Sequence, residues 1–337
     1  MDIPFVNIDL SITDQQHCEA SARKLLKIIR PQWDPSKICF EVYTAGITNK
    51  IMAACANANS KEKVVFRIFG KNTENFIDRD RELNAMENLA NNGLAAPVYA
   101  TFNNGILCGF LPGDTLKAKQ LRNLDVQRKI CETMAAFHSL NSIFVNTSDV
   151  FLFRKTKDFI RNIDMSREDL PSFAQQLPAN LNELYNLIAP LNEEITFCHN
   201  DLLSHNIVFE EESEKVMFID YEYADFNYTL FDIANHFCEF AGVENPDYKL
   251  CPDREEMRIF LQFYLEARHG HVDETILARM LDRVSLFQAS AHLLWSAWAL
   301  VQAQNSTLDF DYASYATTRY EQFEICLNNY LTQDDDL

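Results

Sequence analysis

Asp201, Asn206 and Asp220 are the residues of this chain whose types and spacing could do chemistry together. Asp201 and Asn206 stand in HNDLLSHN, a loop that leaves one apolar run, EITFC, and enters another, NIVFE. After a turn-like EEESE, residues 215–220 read KVMFID, with β-branched and aromatic side chains, so the two runs predict a hairpin. A hairpin returns its second strand to the start of the first, which brings Asp220 beside Asn206 and gives the three groups a common location. A carboxylate with an amide suits a hard cation such as Mg²⁺, which takes few protein groups and completes its shell with phosphates and water. Asp201 is then left to act as a base. Phosphoryl transfer uses this set: metal-bridged phosphates, and an Asp that accepts the proton of the attacking hydroxyl.

A lone HxD is more often an ordinary turn than a site. Here H-x-D-x4-N is followed by a strand ending in Ile-Asp, the spacing and context of a kinase catalytic loop and its metal-binding Asp. The elements around it read as follows. Thr13 can cap a helix with apolar Ala20, Leu25, Leu26 and Ile29 that stops at Pro31. ICFEVY and KIMAAC predict strands flanking AGITN, and KVVFRIF a third strand with strong alternation. A helix is predicted over 75–92, with 78–81 on a solvated charged face. PVYATF and GILCGFL predict a hairpin around Asn103-Asn104-Gly105. Residues 126–140 are helical in pattern, and His138 in AAFHSL fits a hydrogen-bonded core histidine. The stretch 141–195 reads as loop-rich up to Pro171 and helical to Ala189, with no function attached.

Bulk properties bound the classes. A chain of 337 residues can bury a large core and suggests two lobes. A net charge of −19 argues against nucleic acid or an anionic membrane surface as partner. MDIPFVNIDL lacks a basic n-region, and the longest nearly apolar run, 289–303, is interrupted by Ser290, His292, Ser296 and Gln302 and is too short to span. No membrane insertion is expected. Nine cysteines without CxxC form neither a zinc framework nor a disulfide scaffold, which fits reduced thiols in a cytoplasmic protein. Cys198 reads as a buried strand-end thiol.

Three motifs in order, HNDLLSHNI, IDYEY and NYTLFDIANHFCEFAG, resemble the signature of the choline and ethanolamine kinases. The similarity covers roughly 38–115 and 195–325 in sequence terms, and GITNK with the LL after Asp201 resembles the ethanolamine branch. The resemblance implies an α+β, protein-kinase-like fold of the choline kinase and aminoglycoside phosphotransferase type, with a small antiparallel-sheet lobe and a larger, mainly helical lobe. It divides the chain into 1–110, a nucleotide-binding lobe with the N-terminal helix, and 111–337, with the catalytic loop and acceptor pocket. ATP and Mg²⁺ are the implied cofactors, with Asp201 as base and Asn206 and Asp220 as metal ligands. Backbone amides around Gly46, with the Thr48 and Asn49 side chains, could cover nucleotide phosphates. Arg67 stands where kinases place a phosphate-binding cation, and Glu82 is the candidate to orient it, although a solvated face is equally open to Glu82. Phe110 and Leu111 fall where relatives bind adenine through backbone groups. Ala45 and Ala234 depart from the family's usual residues, and Gly109 replaces an acid.

For the acceptor, Glu222, Tyr223, Glu239, Trp295, Trp298 and Tyr315 match the family's cation pocket. Trp295 and Trp298 are three apart on a helix and share a face, which by itself fits core packing as well. Aromatic rings with carboxylates make a cage for a small organic cation. Asp232 is expected to buttress the catalytic loop. The implied reaction is ATP-dependent phosphorylation of a small amino alcohol, ethanolamine first, as the opening step of phosphatidylethanolamine synthesis. Choline or dual activity is the near alternative, an aminoglycoside kinase or a nucleotide-binding pseudokinase the remote ones, and a homodimer is compatible with all. No DFG or APE follows Asp220, which argues against a protein kinase.

Overall fold

The computed structural model describes residues 3–43, 49–70, 78–140, 149–306 and 308–332, and of Asn49 the backbone alone. The chain divides into two compact units, Met1–Gly113 and Asp114–Leu337. The first holds β1 (Phe5–Val6), α1 (Gln15–Ile29), β2 (Cys39–Tyr43), β3 (Asn49–Cys55), β4 (Lys63–Phe69), α2 (Arg79–Asn91), β5 (Val98–Phe102) and β6 (Gly105–Gly109). They build a six-stranded sheet in the order β1-β5-β6-β4-β3-β2, antiparallel except where the short β1 pairs with β5.

Alternation along the strands decides the faces. Met52, Ala54, Val64, Phe66 and Ile68 pack with Cys18, Ala22, Leu25 and Leu26 of α1 in one buried cluster. Arg67 therefore points to the opposite face. Gly105 opens β6 where a Cβ would lie 2.3 Å from the Arg67 carbonyl oxygen, so only glycine lets the two strands meet there. The cap of α1 is Asp14 and not Thr13: its carboxylate accepts the His17 amide at 3.0 Å, and a negative charge suits a helix N-terminus better than a hydroxyl.

The second unit runs β7 (Asp114–Thr115), α3 (Leu124–His138), α4 (Phe151–Asn162), α5 (Leu177–Ile188), β8 (Ile195–Cys198), β9 (Ile207–Glu210), β10 (Lys215–Phe218), β11 (Asp225–Tyr228), α6 (Thr229–Cys238), α7 (Arg254–His269), α8 (Glu274–Asn305) and α9 (Tyr312–Thr332). The predicted hairpin is present, with Phe218 opposite Ile207. Its upstream run is paired elsewhere: β8 joins β11, with Cys198 opposite Asp225. DFNY is too short and polar to announce a strand, and its pairing to β8 supplies what its sequence lacks.

Two further expectations are corrected. Within the stretch expected to be loop-rich, Phe151–Asn162 is a helix: Leu152, Thr156 and Phe159 fall on one helical face of α4, all buried, with Ile163 just beyond. The apolar segment is also longer than 289–303. Among the described residues, the 32-residue α8 is long and apolar enough to cross a membrane by length and composition, yet its apolar stretch is buried inside the fold. Its polar residues are not breaks but satisfied core groups: Ser290 Oγ donates to the Leu286 carbonyl at 2.9 Å and Ser296 Oγ to that of Ala316 at 2.8 Å.

Candidate active site

Within the first unit, Arg67 sits on the central strand β4 between Ile51 and Ile106. Glu82 lies in the first turn of α2, behind the Asp78 cap, and both side chains are buried. Arg67 Nη1 is 2.7 Å from Glu82 Oε1. Arg79, read from sequence as part of a solvated face, turns inward instead: its Nη1 is 2.6 Å from Glu82 Oε2 and its guanidinium lies 3.8 Å from the Phe69 ring centre. One buried carboxylate thus holds two guanidinium groups. Phe110 and Leu111 follow β6, and Lys63 Nζ stands 5.1 Å over the Phe110 ring. Gly46 and Thr48 lie outside the described residues, and Asn49 begins β3 opposite Phe69.

In the second unit β8 delivers His199, Asn200 and Asp201 to a loop that is held from below. Asp232 on α6 accepts the amides of His199 (2.9 Å) and Asn200 (2.7 Å) and faces His138 Nε2 at 3.1 Å, while His138 Nδ1 meets the Tyr264 hydroxyl at 2.8 Å. Burial opposes ionisation of Asp232, but these donors overcome it and hold the carboxyl below its ordinary value. His138 is the core histidine its sequence context predicts. Asn200 donates to the Tyr223 carbonyl (2.9 Å), accepts from Asn227 (2.8 Å) and is capped by Asn235, which itself receives the Trp295 indole N–H at 2.8 Å. His199 Nε2–H donates to the Ile219 carbonyl at 2.9 Å, and burial keeps the ring neutral.

This frame fixes two left-handed residues, Asn200 (φ 66°) and Asp220 (φ 67°). Neither is glycine, so each conformation costs about 1–3 kcal/mol and persists because the surrounding bonds impose it. The Ile219 amide donates to the Asn206 carbonyl at 2.9 Å, and Asn206 Nδ2 donates to the Asp201 carbonyl at 2.8 Å. Asp201, Asn206 and Asp220 are therefore brought together. The amide of Asn206 is oriented by its donor, and its Oδ1 takes no hydrogen bond among the described residues. An oriented amide oxygen beside a carboxylate is a donor set that fits Mg²⁺.

Around Asp201 negative charge accumulates. Burial, then Glu239, Asp220 and Glu222, push its carboxyl well above the ordinary range, and Arg319 only partly opposes them. Beside this cluster an aromatic wall runs from Tyr223 to Trp295 (centroids 5.3 Å), Trp298 (5.8 Å) and Tyr312 (5.7 Å), with Lys155 Nζ 5.6 Å from the Tyr223 ring. Tyr315 is buried with Phe310 at 5.6 Å and the Arg319 guanidinium 5.4 Å from its ring. Glu239 is not a free acid: Arg319 Nη2 donates to its Oε1 at 2.6 Å. Arg319, Tyr312 and Lys155 escaped the sequence reading. The signal for Arg319 was its spacing, since Tyr312, Tyr315 and Arg319 fall at i, i+3 and i+7 on one face of α9.

A loop held by neutral buried histidines has a pH consequence. His236 Nδ1–H donates to the Leu202 carbonyl at 2.8 Å, and burial takes its pKa from 6.5 to about 4. The unfolded chain gains this proton below about pH 6.5 and the folded one only near pH 4, so stability falls as pH drops through that window, by about 3 kcal/mol for this group alone. His199 and His292, also lowered by burial, add to the same trend. In Asp201→Asn, which removes the opposing titration of that raised carboxyl, denaturant midpoints at pH 7.5 and 5 are expected to show a marked loss at the lower pH, and equal midpoints in that variant would contradict it.

Against known proteins, the sequence profile of the choline/ethanolamine kinase family matches residues 40–324. The chain is 34% identical to ethanolamine kinase 1 of Mus musculus over 338 residues, covering 96% of this chain and 93% of the relative. An ethanolamine kinase structure from Plasmodium vivax superposes with a TM-score of 0.82 at 25% identity, covering 94% of this chain and 90% of that one. A choline kinase structure from Cryptosporidium parvum gives 0.80 at 22% identity, covering 93% and 96%, and shares the protein-kinase-like fold.

Proposed function

The chain belongs to the choline/ethanolamine kinase family, and from that premise we propose that it transfers the γ-phosphoryl group of ATP to the hydroxyl of ethanolamine, giving phosphoethanolamine and ADP. The observation that carries this reading is Asp201, fixed beside Asn206 and Asp220 in a loop whose backbone is strained on both sides of the site. Asp201 takes the proton of the attacking hydroxyl; its raised proton affinity, set by burial and three neighbouring acids, brings a carboxylate closer to the range in which a base works well. Asn206 and Asp220 hold Mg²⁺, which when bound offsets phosphate charge. Arg67, oriented by Glu82, is the phosphate-binding cation, with Gly46, Thr48 and Asn49 covering the phosphates and Phe110 and Leu111 offering backbone groups to the base. Trp295, Trp298, Tyr223 and Tyr315 enclose the carbon frame of the acceptor, and Glu222 and Glu239 accept from its ammonium. All nine cysteines are free thiols, which supports a reducing, cytoplasmic setting.

The test is a coupled assay of ADP release with ethanolamine, choline and no acceptor. A primary ammonium brings three strong donors that need acceptors on desolvation, and carboxylates supply them, whereas trimethylammonium can be held by ring faces alone. Higher kcat/KM with ethanolamine than with choline is expected. Equal or better efficiency with choline overturns the acceptor and leaves the kinase; nucleotide binding without turnover on either overturns both. Asp220→Ala is expected to bring metal-dependent nucleotide binding and turnover down together, and activity with unchanged Mg²⁺ dependence would assign the metal elsewhere.

A further inference from the structure

The sheet of the first unit carries a second kind of chemistry at its edge. β2 is the terminal strand, and Cys39 and Cys55 face each other directly across β2 and β3 at the end of their pairing. Directly opposed residues in an antiparallel pair have Cα atoms about 4.5 or 5.5 Å apart, and both values lie within the roughly 4.4–6.8 Å that a disulfide bridges. Their neighbours Phe40 and Ala54 pack toward the α1 cluster, so both thiols lie on the other face. There Cys55 Sγ approaches the Cys39 carbonyl at 3.8 Å and Cys39 Sγ the Lys37 carbonyl at 3.5 Å. Cys39 is exposed and Cys55 half-buried. The other cysteines are buried or half-buried and none of them is paired across a ladder with a second cysteine.

We propose that Cys39 and Cys55 are a dithiol modification site, oxidised by hydroperoxides to a reversible cross-strand disulfide that fastens the edge strand. The exposed Cys39 reacts first. Its thiolate attacks one peroxide oxygen, the O–O bond breaks, and the other oxygen leaves with the thiol proton, as water from hydrogen peroxide or as the alcohol from an organic hydroperoxide, with Cys39 as the sulfenic acid. Cys55 Sγ then attacks that sulfur, the S–O bond breaks, and water leaves with the Cys55 proton, so two thiols are oxidised and one peroxide is reduced. The order follows from position, and burial pushes the Cys55 thiol above its ordinary value, which suits the second role. Disulfides in reducing compartments are characteristically of this transient, redox-responsive kind.

The test treats the reduced full chain with hydrogen peroxide, blocks remaining thiols with N-ethylmaleimide, and maps peptides without reduction. A loss of about 2 Da, one for each hydrogen removed, two fewer blocked thiols and a peptide joining Cys39 to Cys55, all reversed by dithiothreitol, are expected. Cys55→Ser should leave a sulfenic acid at Cys39 that dimedone captures, while Cys39→Ser should remove oxidation from both positions. Phenylarsine oxide, which bridges two adjacent thiols, should protect both from blocking in the unmodified chain and neither in the single-serine variants. A disulfide between other cysteines, such as Cys238 and Cys251, or full blocking of Cys39 and Cys55 after peroxide, overturns the proposal.

Discussion

Asp201→Asn is expected to lower kcat by about 10²–10⁴-fold, the usual contribution of a positioned general base, while nucleotide affinity changes little. The amide keeps the shape of the carboxylate but cannot accept the hydroxyl proton. The same variant should melt higher than the unmodified chain in metal-free buffer. Asp201 shares its site with Asp220, Glu222 and Glu239, and their charges, together with burial, raise its carboxyl above the ordinary value. A carboxyl raised on folding destabilises the folded state when ionised: the penalty is absent below about pH 4 and grows as pH rises above it. The stability gap between Asp201→Asn and the unmodified chain should therefore widen from pH 5 to pH 8. This pairing of lost turnover with gained stability is what a functional charge cluster produces. Turnover and melting temperature together are decisive. A kcat loss under about tenfold, roughly 1.4 kcal/mol, would remove Asp201 from the base role, and a lower melting temperature would show that the cluster is not repulsive.

The part of this site that could be read in the sequence is the part written in adjacent residues. HNDLLSHN and KVMFID declare a loop and a strand by local pattern, and the hairpin that follows puts Asn206 beside the strand end at Ile219. Period-two alternation in KVVFRIF sent Arg67 to the face opposite the α1 core for the same reason. What was not legible depends on partners distant in the chain. DFNY becomes a strand because β8 offers it a ladder. Arg79 turns inward because Glu82 and the Phe69 ring receive it. In Phe151–Asn162, part of the stretch whose pattern reads as loop-rich up to Pro171, Arg154, Lys155, Lys157 and Asp158 stand among the apolar residues and mask the helical spacing of Leu152, Thr156 and Phe159. His292 looked like a polar interruption of α8 until Tyr248, whose ring lies 5.1 Å from it, and Arg319 closed over it.

Arg319 shows most clearly what such partners do, and its removal should have the largest effect on stability. Its side chain and that of Glu239 are both almost wholly buried, and the Nη2 to Oε1 bond is 2.6 Å. The remaining bonds of the guanidinium reach the Tyr248 hydroxyl at 3.3 Å and His292 Nδ1 at 3.4 Å. A buried pair gains little over an apolar replacement of both partners, but breaking it on one side leaves a buried charge alone, at about 3–5 kcal/mol. Arg319→Met keeps most of the side-chain volume, so a loss of that size in chemical denaturation would come from the stranded Glu239 carboxylate and not from a cavity. If Glu239 receives the acceptor's ammonium, ethanolamine supplies the cation that Arg319 no longer does. Millimolar ethanolamine should then raise the melting temperature of Arg319→Met more than that of the unmodified chain, because binding to the folded state alone adds stability through mass action. Glu239→Gln in the same background should abolish that extra rise. A destabilisation under about 1 kcal/mol, the value of an exposed pair, would mean that water reaches Glu239. An equal ethanolamine shift in both proteins would place the ammonium on Glu222 instead.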